Sequence, residues 1–242
     1  MKVRIKDYPR NLELLVNSYI LDYLEAGSKE ILINKARALK SGIRRGGNWR
    51  FSIPKEKPLT FIINYCNLQA DIACELEGMG ENINKQNITL RIWCWDKDII
   101  YREGIDHPDL QLKLENNCWK RVILRFRFDR REPNGEQLEP LYHLQVGGRY
   151  RTENENCWLH KEIDVPRFSY HPMDIILLCE FILINFFPKK SKGLREKPEW
   201  RSLLRKCQTL FLKPYYDDYL RYLKDDTETL LSKLVSRPHR EA

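Results

Sequence analysis

The sequence contains none of the short motifs that mark the common catalytic sites. There is no G-x-S-x-G nucleophile elbow, no H-E-x-x-H zinc site, no P-loop lysine motif and no protein-kinase set. The seven cysteines include no C-x-x-C pair, which argues against a zinc module, and their odd number argues against a disulfide framework. The sequence therefore predicts no cofactor and no metal site, and it favours a protein that is not an enzyme.

Glycine, proline and long apolar runs are also scarce. The 242 residues include 11 glycines and 12 prolines, which excludes collagen-like and low-complexity chains. The longest apolar run, 173–188, contains Asp174, Glu180 and Asn185 and is shorter than a membrane span, so it indicates a buried helix. The charged start of the chain is unlike a secretory signal. We therefore expect a cytoplasmic protein with no membrane partner, whose cysteines are buried free thiols.

Positive charge is in excess, with a formal net charge of +8. Residues 1–60 carry 13 Lys and Arg against 6 Asp and Glu, residues 61–160 carry 13 against 16, and residues 161–242 carry 16 against 12. The basic excess therefore lies towards both ends of the chain. A localised excess of this kind favours a phosphate-rich or acidic partner, and ordinary solvated helix faces are the alternative.

The hydrophobic period divides the chain into three parts. Apolar residues recur with helical spacing over 9–27 and again over 28–40. From residue 51 to about 165 they alternate with polar residues, as in an antiparallel sheet with one core face. The predicted strands are 59–66, 68–77, 88–96, 120–129, 141–146 and 157–163. Three further helices are predicted over 173–187, 199–212 and 215–235, with Pro214 breaking the last two apart.

These parts predict a single compact α+β domain over 1–242. The expected organisation is an N-terminal helical pair (1–50), an antiparallel sheet of about six strands (51–165) and C-terminal helices packed on the sheet (166–242).

The strand alternation also predicts a candidate binding surface. On strands 88–96 and 120–129 the polar sides carry Arg91, Trp93, Trp95, Arg121, Arg125 and Arg127. If these strands are neighbours, the two sides combine, and His143 and Gln145 extend the row. Arginines among flat aromatic rings can hold a phosphate backbone and stack bases. Two alternatives stay open: the tryptophans lie beneath the first helix with the arginines around them, or the set anchors a protein interface.

Two Gly-Gly pairs lie beside arginines. Arg44 and Arg45 precede Gly46-Gly47, and Gly147-Gly148 precedes Arg149. Adjacent glycines fit either a close approach to phosphate or an ordinary turn. We add Arg44, Arg45 and Arg149 to the candidate nucleic-acid-binding residues. The basic stretch 189–206 has the same two interpretations, a backbone groove or a solubilising surface.

The histidines offer the only catalytic alternative. His143 and His160, with Arg149 to hold a phosphate, could support metal-independent RNA cleavage if their strands pair. His160 with Cys157 could form part of a metal site, although the spacing is not specific. His107 and His171 each precede a proline, so building a turn is their expected role.

One segment carries a resemblance. The residues His143-Leu-Gln-Val-Gly-Gly, Val165-Pro-Arg-Phe, His171-Pro-Met-Asp and Asn185-Phe-Phe-Pro stand in a run of about a fifth of the chain. This run resembles a group of uncharacterised bacterial proteins encoded beside defence or mobile-element genes. The resemblance implies an accessory or effector partner in a multi-component antiviral system.

The combined expectation is a non-enzymatic accessory protein that binds nucleic acid, RNA included, or a protein partner. The alternatives are a small ribonuclease-like effector and a structural subunit of a complex.

Overall fold

The computed structural model describes residues 5–63, 68–79, 82–96, 113–115, 118–130, 140–147 and 167–224. The chain opens with helices α1 (Tyr8–Ser18) and α2 (Ser28–Gly46). Eight strands follow: β1 (Asn48–Ile53), β2 (Leu59–Ile63), β3 (Leu68–Met79), β4 (Asn82–Asp96), β5 (Lys113–Glu115), β6 (Cys118–Arg130), β7 (Tyr142–Val146) and β8 (Arg167–Ser169). The last helices are α3 (Ile175–Phe186), α4 (Lys192–Glu196), α5 (Pro198–Cys207) and α6 (Lys213–Leu223). The α+β prediction is confirmed, and three strands, β1, β5 and β8, were not predicted; the strand predicted over 157–163 lies outside the described residues.

All described strand pairs are antiparallel and belong to one sheet with the main order β1-β3-β4-β6-β7-β8. Strand β3 carries both β1 and β2 on one edge: Ile53 is opposite Cys74, and Leu59 is opposite Ile72. The edge is therefore two short strands placed end to end, with residues 54–58 leaving the sheet between them. Ala73 lies at this interruption, with no register partner from either strand.

The helices from both ends of the chain share one apolar core with the sheet. The sides of β3 and β4 that were predicted to face the core do contribute to it. The helices contribute side chains such as Leu12, Leu32, Ile182 and Trp200. The alternation of apolar and polar residues therefore identified the core side of the sheet correctly. No helix in the described part of the chain is long and apolar enough to span a membrane.

Helix α2 is attached to the sheet at its start. The Ser28 hydroxyl accepts a hydrogen bond from the Thr60 backbone N–H at 3.0 Å, and the Glu25 N–H donates to the Thr60 carbonyl at 2.9 Å. The helix runs further than predicted and ends only where Gly47 takes a left-handed conformation (φ 80°). Arg44 consequently lies in the last turn of a helix, and the prediction of a flexible turn there is wrong.

The predicted break at Pro214 is also wrong. Residues Gln208–Leu212 form a π-helical segment that connects α5 directly to α6. Proline has no N–H and its ring collides with the carbonyl one turn earlier, and a widened turn relieves that collision without ending the helix.

Candidate functional site

The strand register brings five of the sequence-predicted side chains to one face of the sheet. Arg91 is opposite Arg125 across β4 and β6, and Arg127 is opposite Gln145 across β6 and β7. His143 lies beside them, opposite Asp129. Because directly opposed residues of antiparallel strands point to the same side, these groups share the face that is turned away from the helices. We call this the polar face.

The polar face is largely inaccessible to solvent. Trp93 is 2% exposed, Arg125 is 5% exposed and His143 is 3% exposed. Trp93 does not belong to the core cluster that contains α1, so it does not pack beneath that helix as one alternative predicted. Its ring lies instead under the Arg91 guanidinium, whose Cζ is 5.4 Å from the ring centroid. In this conformation neither Trp93 nor Arg125 presents a surface on which a base could stack or a phosphate could rest.

Hydrogen bonds link the polar face into a chain of side chains. The Arg127 guanidinium pairs with the Asp129 carboxylate at 2.9 Å and donates to the Gln145 amide oxygen at 3.4 Å. The Gln145 amide nitrogen lies 3.4 Å from His143 Nε2, and His143 Nδ1 lies 3.1 Å from the Pro140 carbonyl. A carbonyl can only accept, so Nδ1 carries the proton and Nε2 accepts from the amide. Both ring nitrogens of His143 therefore have a polar neighbour inside the protein.

Arg91 connects the segment 54–58, which lies outside the sheet, to the polar face. Its Nη2 donates to the Lys55 carbonyl at 3.2 Å, and the same nitrogen lies 3.9 Å from the Asp71 carboxylate. Since Lys55 belongs to the segment between β1 and β2, this contact holds that segment against the sheet. The role that the structure gives Arg91 is structural.

A β-bulge changes the position of Arg121. The register shifts between Ile92 and Trp93, so that Trp93 is opposite Val122 and Arg121 is opposite Cys94. Arg121 is thus out of step with Arg125 and Arg127, and the expectation that all three alternate in phase is wrong. Of the other candidates, Trp95 and Arg45 are described only as backbone, while Arg149 and His160 lie outside the described residues, as do His107 and Cys157.

The exposed cations lie on the outer side of α2. Arg37, Lys40 and Arg44 follow one another at helical spacing, and all three are exposed. None of the three has an ion-pair partner among the described residues. Leu32, Ala36 and Leu39 on an adjacent side of the helix belong to the core, so this basic stripe lies along an exposed flank of α2. Sequence reasoning found only Arg44 of this stripe, because it followed the apolar period and not the charges between.

The basic stretch 189–206 gives a less uniform surface. Arg195 donates to Glu180 at 3.1 Å, and Lys190 donates to the Asp22 carbonyl at 2.9 Å while lying 4.7 Å from the centre of the Tyr23 ring. Two of its cations therefore hold helices together. The acidic residues Glu196 and Glu199 are exposed within the same stretch, so it does not form a continuous positive surface.

The cysteines and histidines do not assemble a metal centre in the described part of the chain, where no group of three or more His, Cys, Asp or Glu side chains is arranged to hold an ion. Cys74, Cys179 and Cys207 are buried free thiols, and burial raises the pKa of each of them. A buried thiol with a raised pKa holds its proton and is a poor nucleophile. His171 lies beside Tyr216, whose hydroxyl is 3.3 Å from Nδ1, and burial lowers the pKa of His171.

Comparison with known proteins gives no further guidance. No family model matches the chain, and neither a curated protein nor a solved structure is significantly similar to it.

Proposed function

We propose that this protein is a non-enzymatic nucleic-acid-binding protein that contacts the phosphate backbone with Arg37, Lys40 and Arg44 of α2. The supporting observation is the solvent exposure of all three side chains on one side of a helix, away from any described acidic partner. The stripe is about 10 Å long at the rise of an α-helix, which equals about three base steps of duplex rise. Its contacts are with charge and not with base edges, so the binding has little sequence preference.

The exposed helix is a better phosphate contact than the polar face of the sheet. Binding by counterion release requires cations that are solvated and free to approach the backbone. Arg125 is buried, and Arg127 already pairs with Asp129. Moving these arginines to a ligand would break the buried hydrogen-bond chain, whereas the α2 side chains need no rearrangement.

The salt dependence of binding tests the proposal. We expect the logarithm of the association constant to fall linearly with the logarithm of salt concentration, with a slope of about −2 to −3 for three phosphate contacts. The variant Arg37→Ala/Arg44→Ala removes two contacts and should reduce this slope by about 1.4–1.8. Fluorescence anisotropy with a labelled single-stranded RNA and a labelled DNA duplex measures the slope and shows which nucleic acid is preferred.

A second double variant controls for net charge. Lys213→Ala/Arg221→Ala also removes two positive charges, but from another exposed helix, where Lys213 pairs with Asp217 and Arg221 pairs with Asp218. We expect its binding to stay close to that of the unmodified protein. An equal loss in both variants, or no binding of either nucleic acid at low salt, would show that the α2 stripe is not the contact.

An accessory role in a multi-component prokaryotic defence system is the wider proposal, and the resemblance of residues 143–188 supports it. Purification of the tagged protein from its native host tests this point. We expect nucleic acid and a protein partner to elute together, and nuclease treatment should remove the nucleic acid. Elution of a protein partner without nucleic acid would favour a role in protein assembly instead.

A further inference from the structure

A pocket of about 280 Å³ opens on the sheet where its edge strand is interrupted. Its floor includes Ala73, which lies between the stretches of β3 that pair with β1 and β2. A methyl group at this position leaves space that a longer side chain would fill. Pro54 lines one side, and the polar side chains of β1, β3 and β4 line the rest.

Hydrogen bonds hold one wall of the pocket in place. Its outer wall is the segment after β1, and Arg91 holds that segment through the Lys55 carbonyl at 3.2 Å. Within the segment, the Lys57 N–H donates to the Pro54 carbonyl at 3.3 Å and closes a turn. A wall held in this way lowers the conformational entropy that the protein loses when a ligand binds.

The charged groups at one end of the pocket compensate one another. The Glu75 carboxylate pairs with Lys85 at 2.7 Å and also with Arg50, which in turn lies 3.2 Å from Glu77. The hydrogen bond from Lys85, together with the charges of Lys85 and Arg50, holds the pKa of Glu75 below its ordinary value. Glu75 is therefore an ionised acceptor whose charge is balanced, so the pocket has no strong preference for a charged ligand.

Uncharged polar groups line the remaining surface. They are the Ser52 hydroxyl, the Asn87 amide and the Thr89 hydroxyl, and none of them has a hydrogen-bond partner among the described residues. Thr89 is 2% exposed as a whole residue, but its hydroxyl is not among the fully buried polar atoms that lack a partner, so the pocket leaves it accessible. A ligand that hydrogen-bonds to these groups takes the place of the water that would otherwise satisfy them.

We propose that this pocket binds a nucleobase that carries an exocyclic amine, as the free nucleoside adenosine or cytidine. The Asn87 amide offers a donor beside an acceptor, the pairing that reads the N6 and N7 edge of adenine. The Glu75 carboxylate can accept from an exocyclic amine, as acidic side chains do from cytosine. Pro54 and Ala73 supply an apolar surface for the ring, and the volume is at the small end for ligand sites.

The inference does not depend on the proposed function of α2. The core residues of α2 and of β1 belong to one apolar cluster. Arg50 and Ser52 alternate along β1 with its core residues, so their side chains point to the other side of the strand. The pocket and the basic stripe therefore lie on opposite sides of β1. Nucleoside binding and salt-dependent binding of nucleic acid can be measured separately.

Titration of the protein with adenosine, cytidine and uridine tests the inference by calorimetry and by amide chemical shifts. Adenosine or cytidine should bind at millimolar concentration or below and shift the amides of β1, β3 and β4, and uridine should bind at least several-fold more weakly because it lacks the amine. Ala73→Leu should fill the pocket and weaken binding at least tenfold. Asn87→Ala should weaken it by about tenfold through the lost bidentate pair.

Matched controls keep the outcome interpretable. Arg37→Ala/Arg44→Ala should bind the nucleosides normally, and circular dichroism should show that each pocket variant is folded; if Ala73→Leu is not, Asn87→Ala and Thr89→Val decide. Failure of both amine-bearing nucleosides to bind would overturn the inference. Equal binding of uridine, or binding that survives the pocket substitutions, would overturn it as well.

Discussion

Replacement of Trp93 by alanine should lower the free energy of unfolding by about 3–5 kcal/mol, the cost of removing a fully buried large aromatic side chain. The side chain is 2% exposed, and the Arg91 guanidinium lies over its ring. The substitution therefore leaves a cavity and takes away the cation–π partner of Arg91. Urea unfolding, followed by circular dichroism, measures the change.

Two further measurements on Trp93→Ala separate a structural role from a binding role. At a temperature where the variant is folded, its affinity for nucleic acid should equal that of the unmodified protein, because the ring is not available for stacking. Trp93→Phe keeps an aromatic face for Arg91 and should lose clearly less stability. A stable Trp93→Ala variant with weakened nucleic-acid binding would return Trp93 to the binding surface and contradict the arrangement described above.

The sequence predicted which side of each main strand faces the core. In β4 the alternation of Ile88, Leu90 and Ile92 with Thr89 and Arg91 is regular, and the core contains the first three. Alternation works because one face of the sheet is packed against helices that the chain also encodes. It says nothing about whether the second face is open to solvent. Around Arg91, Trp93 and Arg125 that face is buried, so these side chains were assigned to a surface that they do not form.

Two errors have their origin in single residues that interrupt a period. One extra residue in β6, between the partners of Ile92 and Trp93, moves Arg121 out of phase with Arg125. A bulge of this kind has no reliable sequence signature, since its only requirement is a local change of backbone geometry. At Pro214 the sequence signal is strong, but the helix continues through a π-helical turn because Leu210 and Phe211 before the proline and Tyr215 after it are packed.

The α2 stripe was within reach of the sequence. Once 28–46 is assigned to a helix, the positions of Arg37, Lys40 and Arg44 on one side follow from the helical period alone. The helix was expected to stop near residue 40, so Arg44 was placed in a turn and separated from the other two. The pocket could not be predicted from the sequence, because it depends on two strands that meet end to end on one edge of β3. Strand order cannot be obtained from periodicity.

Asp174 gives the second large effect, on the pH dependence of stability. It is fully buried at the start of α3, where its Oδ1 accepts from the N–H groups of Ile176 at 2.5 Å and Leu177 at 3.1 Å and from the Tyr8 hydroxyl at 3.4 Å. Burial raises its pKa from 3.8 to about 7, although these hydrogen bonds act in the opposite direction. The free-energy cost of desolvating a carboxylate in an apolar core exceeds the stabilisation that the N–H groups at the helix start provide.

The sign of the effect follows from the raised pKa. The stability that the protonated form contributes is fully present below pH 4 and is lost as the pH rises towards 7, because over that range the unfolded chain releases the proton more readily than the folded one. The amide that Asp174→Asn introduces cannot ionise, yet an asparagine side chain caps a helix about as well as an aspartate. Asp174→Asn should therefore be the more stable protein at neutral pH.

Urea unfolding of Asp174→Asn and the unmodified protein between pH 5 and pH 8 measures this difference. The stability advantage of the variant should widen by roughly 2–3 kcal/mol over that range, as the linkage between proton binding and folding requires for a shift of this size. Asp217→Asn, at an exposed position that pairs with Lys213, should show no comparable widening. A variant that is less stable than the unmodified protein at pH 8 would mean that the core holds Asp174 as a stabilising carboxylate. The helix start and Tyr8 would then outweigh desolvation, and the polar contacts at this position would have to be stronger than their distances indicate.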